Sequence, residues 1–166
     1  MPFGTVTTIS PGSKQRWRVR GDMKHMHITI DIQAPAARVW EVVRDVEHWF
    51  EWTPTVNSVQ PLDPGPLNVG TRAIVRQPKL LPARWQITEI EEGRSFTWTT
   101  RAPGIVVTAR HSVDGAANSS RATLSLDFSG PLGALCARLT RGINARYLAL
   151  EAQGLKKRAE ANGESR

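Results

Sequence analysis

The sequence predicts an α+β domain in which a long C-terminal helix covers a curved antiparallel sheet of about seven strands. From Gly130 to about Glu160, apolar residues recur every three or four positions, which is the period of one helix face. Between Asn57 and Ser129, short alternating segments are separated by Gly, Pro and Asn, as in a run of strands and turns. A helix lying on such a sheet favours an enclosed pocket between the two.

The length and the cysteine content limit the class of protein. The 166 residues suffice for one domain that buries its core without cross-links. Cys136 is the only cysteine, which excludes an internal disulfide, and its place in the helix repeat predicts a small buried side chain. No stretch approaches the roughly 18 apolar residues of a membrane helix, and no signal-peptide core is visible. These features predict a cytoplasmic protein.

The net charge of +7 is unevenly distributed along the sequence. Residues 1–24 and residues 138–166 each carry a net charge of +4, whereas residues 25–137 carry −1. The basic excess therefore belongs to the two ends of the chain, where a solvated tail and a helix face explain it. The aromatic residues alternate with Thr and Ser in predicted core strands rather than with basic residues, so we expect no nucleic acid partner.

The chain divides into an extension, a domain and a tail. Residues 1–23 are rich in Thr, Ser, Gly and Pro and then basic, which predicts a disordered or loosely attached extension. Met23 precedes the first ordered pattern and is an alternative start to Met1. Residues 24–161 form the predicted domain, and residues 162–166 a flexible tail.

The first predicted strand is His25–Ile32, which alternates strictly between apolar and polar residues. Its apolar face consists of Met26, Ile28, Ile30 and Ile32. His25 and His27 share the opposite face, which is the arrangement of a metal-ligand pair. No third ligand accompanies them at a recognisable spacing, so we expect no metal site.

Two short helices are predicted after this strand. Pro35 stands where a helix prefers its first residue, and Ala36, Val39, Trp40 and Val43 follow at helical spacing. Asp45 is a candidate cap for a second helix that runs to about Phe50. Pro54 then disfavours helix in the residue before it, which ends the segment.

Six further strands and the final helix complete the prediction. The strand candidates are Val56–Gln60, Thr71–Gln77, Arg84–Glu91, Ser95–Arg101, Ile105–Val113 and Arg121–Phe128. Their short links, rich in Pro and Gly, indicate an antiparallel meander. The helix repeat predicts that one face packs toward the sheet; its members are Leu132, Leu135, Leu139, Ile143, Tyr147 and Leu150.

Several short sequence motifs resemble those of one protein superfamily. They are residues 34–40 (APAARVW), residues 45–49 (DVEHW) with Trp52, residues 69–72 (VGTR), residues 85–89 (WQITE), residues 94–98 (RSFTW), His111, and Tyr147 with Glu151. Over about residues 24–160 the chain resembles the SRPBCC or START-like (Bet v 1-like) superfamily, in its polyketide cyclase/dehydrase-like branch. The resemblance implies a helix-grip fold with a hydrophobic cavity between sheet and long helix. It implies no single function, because the superfamily includes lipid carriers, cyclases and hormone receptors.

Strand alternation and helix period supply a candidate cavity lining. We predict the following ligand-binding residues: Trp49, Trp52, Val75, Gln77, Trp85, Ile87, Phe96, Trp98, Val107, Ala109, His111, Leu139, Ile143 and Tyr147. Trp49 and Trp52 are expected near the cavity mouth. The same residues would be ordinary core if no volume stayed open between them.

His111 is the best candidate for a catalytic residue. It shares a strand face with Val107 and Ala109, so its imidazole is predicted to point inward, where it needs a hydrogen-bond partner. The alternative is a core histidine whose hydrogen bonds are satisfied by the protein. No acidic residue with an orienting role is identified from the sequence.

The predicted function is the binding of a small hydrophobic molecule, without a metal or nucleotide cofactor, by a monomer or homodimer. One alternative is a cofactor-independent cyclase or dehydratase, with His111 as acid or base and Gln77 or Tyr147 as its polar partner. Another is a lipid carrier whose cationic helix ends make weak contact with anionic membrane. Motifs of serine hydrolases, phosphate-binding loops and dinucleotide-binding folds do not occur in the sequence.

Overall fold

A seven-stranded antiparallel sheet forms the centre of the computed structural model, which describes residues 24–161. The strands are β1 (His25–Ile32), β2 (Ser58–Pro61), β3 (Arg72–Arg76), β4 (Ala83–Glu91), β5 (Ser95–Ala102), β6 (Ile105–Gly115) and β7 (Ser120–Ser129). Their order in the sheet is β1-β7-β6-β5-β4-β3-β2. The helices are α1 (Ala36–Arg44), a 3₁₀ helix (Val46–Glu51) and α2 (Gly133–Ala161). The predicted fold class is confirmed, while the extension and the tail lie outside the described residues.

The meander follows from short turns, and β1 closes it at one edge. Strands β2 to β7 are neighbours in both sequence and space, whereas β1 pairs with β7 from His25 opposite Asp127 to Ile32 opposite Ser120. The bounds of β2 differ most from the prediction. Val56 instead lies in a turn, with its backbone N–H donating to the Thr53 carbonyl.

The two short helices differ from the prediction in their caps. Pro35 precedes α1 in an extended conformation, with ψ of 143°, so that Ala36 is the first helical residue. The second element is a 3₁₀ helix, and the Asp45 side chain makes no capping hydrogen bond to it. That carboxylate instead contacts Nδ1 of His48 at 2.7 Å, which raises the pKa of His48 through this hydrogen bond and the attraction of the opposite charge.

The buried face of α2 differs from the predicted one. Leu132, Leu135 and Leu139 are 48%, 55% and 75% exposed. The face turned to the protein is rotated by about 140° from the predicted one, and its buried residues are Gly133, Ala137, Asn144, Leu148, Glu151, Ala152, Leu155 and Ala159. Small side chains dominate this face because the helix approaches the rest of the chain closely. A Cβ atom on Gly154 would lie 2.2 Å from the carbonyl oxygen of Trp52.

The closely packed core lies under the C-terminal half of α2. Ile28, Ile30 and Ile32 of β1 are no more than 1% exposed, and Leu155 and Ala159 of the helix are equally buried. The N-terminal half of α2 has only Gly133 and Ala137 fully buried before Asn144. That half of the helix therefore leaves an open volume above the concave face of the sheet.

Candidate functional site

The open volume is a cavity of about 430 Å³ between the sheet and α2. Most of its wall is apolar and comes from the inward positions of the strands, from the 3₁₀ helix and from the turn between this helix and β2; the apolar residues include Trp49, Val56, Val75, Ala83, Trp85, Trp98, Val107, Ala109, Leu124, Leu126 and Phe128. Alternate residues of β6 and β7 contribute because successive side chains of a strand point to opposite faces. The helix adds a mixed stripe that consists of Cys136, Thr140, Asn144, Tyr147, Leu148 and Glu151.

Three tryptophans form one wall of the cavity. Trp98 of β5 lies 5.3 Å, centroid to centroid, from both Trp49 and Trp85. The indole N–H of Trp49 donates to the Val43 carbonyl oxygen at 3.0 Å, which fixes this ring although it is almost fully buried. The three rings present flat apolar surfaces against which a planar ligand can stack.

A buried polar pair lies at the inner end of the cavity. His111 is 5% exposed, and its Nε2 lies 2.7 Å from Oε1 of Glu151. The imidazole ring stacks on Phe96 at 4.8 Å and contacts Trp49 at 4.9 Å. Within the described residues, Nδ1 of His111 is buried without a hydrogen-bond partner. The pair places a carboxyl group against an imidazole in a mainly apolar site, which is an arrangement suited to proton transfer.

Polar residues on α2 continue from this pair toward the solvent. The Asn144 side-chain amide donates to the Thr140 hydroxyl at 2.8 Å, and that hydroxyl donates to the Cys136 carbonyl at 2.7 Å. The Tyr147 hydroxyl donates to the Pro78 carbonyl and thereby joins α2 to the β3–β4 loop. Burial raises the pKa of Tyr147, so it remains a donor at neutral pH.

The cavity opens beside the β3–β4 loop. Lys79 and Leu81 contribute to its lining and are nevertheless exposed, Leu81 at 89%. At the other end, Trp49 and His111 are 2% and 5% exposed. Trp49 therefore belongs to the inner wall, and its expected position at the mouth is wrong.

Most of the predicted lining residues surround this cavity, and their role in ligand binding stays a prediction. Those that line it are Trp49, Val75, Gln77, Trp85, Trp98, Val107, Ala109, His111 and Tyr147. Ile87 and Phe96 are buried in the core instead. Trp52 packs behind Trp49 at 5.7 Å rather than at the mouth.

The helix positions were the least accurate part of the prediction. Leu139 is exposed and Ile143 half-buried, and neither lines the cavity. The sequence reasoning missed Thr140 and Asn144 and gave Glu151 no role in the site. Their spacing of about four residues was the available signal, but the leucine repeat on a neighbouring face is stronger. The partner expected for His111 was Gln77 or Tyr147, whereas its contact is with Glu151.

The two histidines of β1 lie on the outer face of the sheet. Nδ1 of His25 is 2.6 Å from a carboxylate oxygen of Asp127, and the two imidazole rings are 5.4 Å apart. Between residues 24 and 161, no group of three or more His, Cys, Asp or Glu side chains is arranged to hold a metal ion. In the same range, no helix is both long and apolar enough to span a membrane.

Fold and cavity together define a helix-grip protein with a ligand-sized, mainly apolar chamber. The family model described as polyketide cyclase / dehydrase and lipid transport matches residues 23–160. The chain belongs to this family. A search of curated protein sequences finds no significant match. Family and cavity together support either the binding of a hydrophobic ligand or a cyclase role.

Solved structures share the fold at low sequence identity. The ZhuI aromatase/cyclase from Streptomyces sp. R1128 is 17% identical with a TM-score of 0.71, over 86% of this chain and 96% of that chain. A norcoclaurine synthase mutant from Thalictrum flavum, solved with a transition-state analogue, is 14% identical with a TM-score of 0.64, over 85% and 96%. A hypothetical protein from Helicobacter pylori is 14% identical with a TM-score of 0.68, over 95% and 99%.

Proposed function

We propose that this protein binds a small, mainly apolar molecule whose polar end lies against His111 and Glu151. The observation that carries the proposal is the open volume of about 430 Å³ between sheet and helix. Ligand pockets typically range from about 300 to 1,000 Å³ and combine apolar walls with a few polar groups. A dry cavity of about 150 Å³ holds one benzene ring, so this volume suits a molecule of roughly two to three rings.

The polar groups give the bound molecule an orientation. Trp49, Trp85 and Trp98 offer flat surfaces along the cavity, whereas His111 and Glu151 occupy its inner end. Both side chains line the cavity, and a ligand hydroxyl can donate to the Glu151 carboxylate beside the imidazole. A ligand with one polar end and an apolar body therefore satisfies both parts of the site.

Titration with N-phenyl-1-naphthylamine, an apolar dye with three aromatic rings, tests the proposal. Val107→Trp fills the cavity from β6 and is expected to weaken dye binding at least tenfold. Val106→Trp is the matched control, because Val106 points to the opposite face of the same strand. Equal dye binding by both variants would contradict the proposal, since the dye would then bind outside the cavity.

A second cavity variant keeps the test decisive if Val107→Trp does not fold. Thr100→Trp enters the same cavity from β5, where Thr100 is the register partner of Val107. Circular dichroism melts identify variants that remain folded, and a native mass spectrum of the wild-type protein shows any ligand that co-purifies. Loss of binding in either folded cavity variant, with binding retained in Val106→Trp, supports the proposal.

The His111–Glu151 pair favours a second candidate function, that of a cofactor-independent cyclase or dehydratase. A basic His111 would remove a proton from a carbon between two ketone carbonyls, and that carbon would attack another carbonyl of the same chain. The imidazolium would then return the proton to the new alkoxide of the closed ring, and loss of that hydroxyl with a hydrogen of the neighbouring carbon, as water, would leave a double bond in the ring. Glu151 would stabilise the imidazolium. The 2.7 Å contact between the two side chains supports this candidate.

Product analysis separates the enzyme from a pure binding protein. A linear poly-β-ketone is incubated with wild-type protein, with Glu151→Gln and with Val107→Trp. An enzyme is expected to give one ring product, to lose most of the rate in Glu151→Gln while retaining dye binding, and to lose both in Val107→Trp. Product ratios that equal those of the spontaneous reaction would refute this candidate and leave the binding proposal intact.

A further inference from the structure

The rim of the cavity mouth combines exposed leucines with basic residues. We define the mouth surface as residues 77–84, 101–106 and 131–147. The structure brings these three segments together: the Tyr147 hydroxyl donates to the Pro78 carbonyl, and the Leu132 N–H donates to the Gly104 carbonyl at 2.9 Å. The segments therefore form a continuous surface around the opening.

The leucines of the mouth surface are not buried in the core of the fold. Leu81 is 89% exposed, and Leu132, Leu135 and Leu139 are 48%, 55% and 75% exposed. Isolated exposed leucines are ordinary, but all four of these lie on the segments that surround one opening and give its rim an apolar part. Leu132, Leu135 and Leu139 are the part of the α2 apolar repeat that the interior of the protein does not use.

The charges of the mouth surface all have one sign. The three segments contain no Asp or Glu, and their basic residues are Lys79, Arg84, Arg101, Arg138, Arg141 and Arg146. Acidic residues are concentrated at the opposite end of the sheet, in the 3₁₀ helix and the β4–β5 turn, including Glu47, Glu51, Glu91 and Glu92. The molecule thus has a cationic pole, and the cavity opens within it.

We propose that the mouth surface docks on an anionic phospholipid membrane, with its leucines in the interface and its basic residues at the headgroups. The combination of apolar side chains with surrounding cations fits such a surface, because buried apolar area and headgroup attraction act together. This inference rests on the proposed function, since docking places the cavity entrance against the lipid phase from which an apolar ligand would enter.

Flotation with vesicles of phosphatidylcholine alone, and with about 30% phosphatidylglycerol, tests the docking. The wild-type protein is expected to bind the anionic vesicles and to bind them more weakly at higher salt. Leu139→Ser and Leu81→Ser are each expected to weaken binding about tenfold, given the transfer energy of a leucine side chain. Arg138→Gln and Arg146→Gln should each weaken it about fivefold.

Two matched controls lie away from the mouth. Val69→Ser removes a side chain that is 64% exposed in the β2–β3 loop, at the other end of β3 from the mouth. Lys157→Gln removes an exposed charge from the C-terminal half of α2. Both controls are expected to bind vesicles as the wild-type protein does. Equal losses in the controls and the mouth variants would overturn the proposal, as would equal binding to both kinds of vesicle.

Sedimentation velocity and dye titration separate this inference from its alternatives. A wild-type dimer that Leu139→Ser dissociates, without vesicle binding, would show that the leucines bind a second copy and would overturn membrane docking. Dye affinity in the absence of vesicles is expected to be unchanged in Leu139→Ser. If the dye binds in the cavity but vesicles are not bound, the docking inference fails and the proposed function stands.

Discussion

The contact between His111 and Glu151 places two ionisable side chains where water has little access. Their side chains are 6% and 11% exposed. A buried carboxylate without a partner costs several kcal/mol, so each group depends on the other. Nε2 of the imidazole is used in this contact, and Nδ1 is buried without a hydrogen-bond partner among the described residues.

The variant His111→Ala is expected to lower the free energy of unfolding by about 3 kcal/mol at neutral pH. The change leaves the Glu151 carboxylate buried without its partner. The double variant His111→Ala/Glu151→Leu should recover part of this loss, because it removes the unpaired charge. Urea unfolding of the three proteins measures both effects. Unchanged stability in His111→Ala would mean that the carboxylate has found solvent.

Asp63 titrates well below its ordinary range because of a single arginine. The Arg72 guanidinium donates to both oxygens of the carboxylate, and the Arg72 backbone N–H donates to Oδ2. The side-chain hydrogen bonds, followed by the backbone one, lower the pKa of Asp63 from 3.8 to about 2. Because the folded pKa is lowered, this contact stabilises the fold above pH 3.8 and is lost as the pH falls toward 2.

Carboxyl-carbon NMR is expected to show Asp63 titrating with a midpoint near pH 2. In Arg72→Leu the midpoint should rise toward 3.8 without reaching it, because the backbone hydrogen bond remains. Arg94→Leu is the control, since Arg94 contacts Glu91 and Asp114 instead. A midpoint that is the same in all three proteins would contradict this account of the pKa.

At the scale of the elements, the two halves of α2 differ in how closely they pack against the rest of the protein. The C-terminal half packs closely, and Gly154 lies against the Trp52 carbonyl. Gly142 lies on the exposed face of the N-terminal half, and a Cβ atom on it would meet nothing within 4 Å. Close packing therefore requires a glycine at position 154 and not at position 142.

The substitutions Gly154→Ala and Gly142→Ala are expected to change stability in opposite directions. Gly154→Ala should lower the free energy of unfolding by about 1–3 kcal/mol, because helix and 3₁₀ segment must separate to accept the methyl group. Gly142→Ala should raise it by about 0.5–1 kcal/mol, since alanine favours the helix and meets no obstacle. Thermal melts of the two variants provide the comparison. A loss of stability in both variants would refute the contrast.

The strands of this fold were predictable from sequence, and the orientation of the final helix was not. In β6, alternation alone places Val107, Ala109 and His111 on one face, and the structure confirms that they point inward. The side chains of a helix point in all directions around its axis, so its pattern does not reduce to a choice between two faces. On α2 the leucine repeat is more apolar than the stripe of Ala137, Asn144 and Glu151 that packs inward, so periodicity selects the wrong face.

The partner of His111 was hidden from the sequence for a related reason. Glu151 is 40 positions away from His111 and lies on a different element. Its contact depends on the rotation of α2, which the sequence pattern assigned incorrectly. The strand residues of the site could therefore be predicted from local alternation. The contact between His111 and Glu151 could not, because it depends on how the helix packs on the sheet.

At the scale of the whole molecule, the distribution of charge in space differs from its distribution along the chain. Residues 25–137 are nearly neutral in sum. Folding nevertheless brings Lys79, Arg84 and Arg101 of this neutral part beside the arginines of α2, and it leaves the glutamates of the β4–β5 turn at the opposite end. Dividing the sequence into consecutive blocks could not show this polarity.

Deletion of residues 1–22 is the last prediction, and it tests both the domain boundary and the origin of the charge effect. The described residues contain a contiguous core that runs from Met26 to Ala159, and the deleted segment has little apolar surface to bury. A fall of about 8 °C in the melting temperature corresponds to roughly 2 kcal/mol or more in a domain of this size, and we expect a smaller fall than that.

The deletion also removes four basic residues and one acidic residue. If the mouth surface carries the attraction to anionic vesicles, their binding and its salt dependence should be retained. Loss of vesicle binding in the shortened protein would instead assign that attraction to the N-terminal cations.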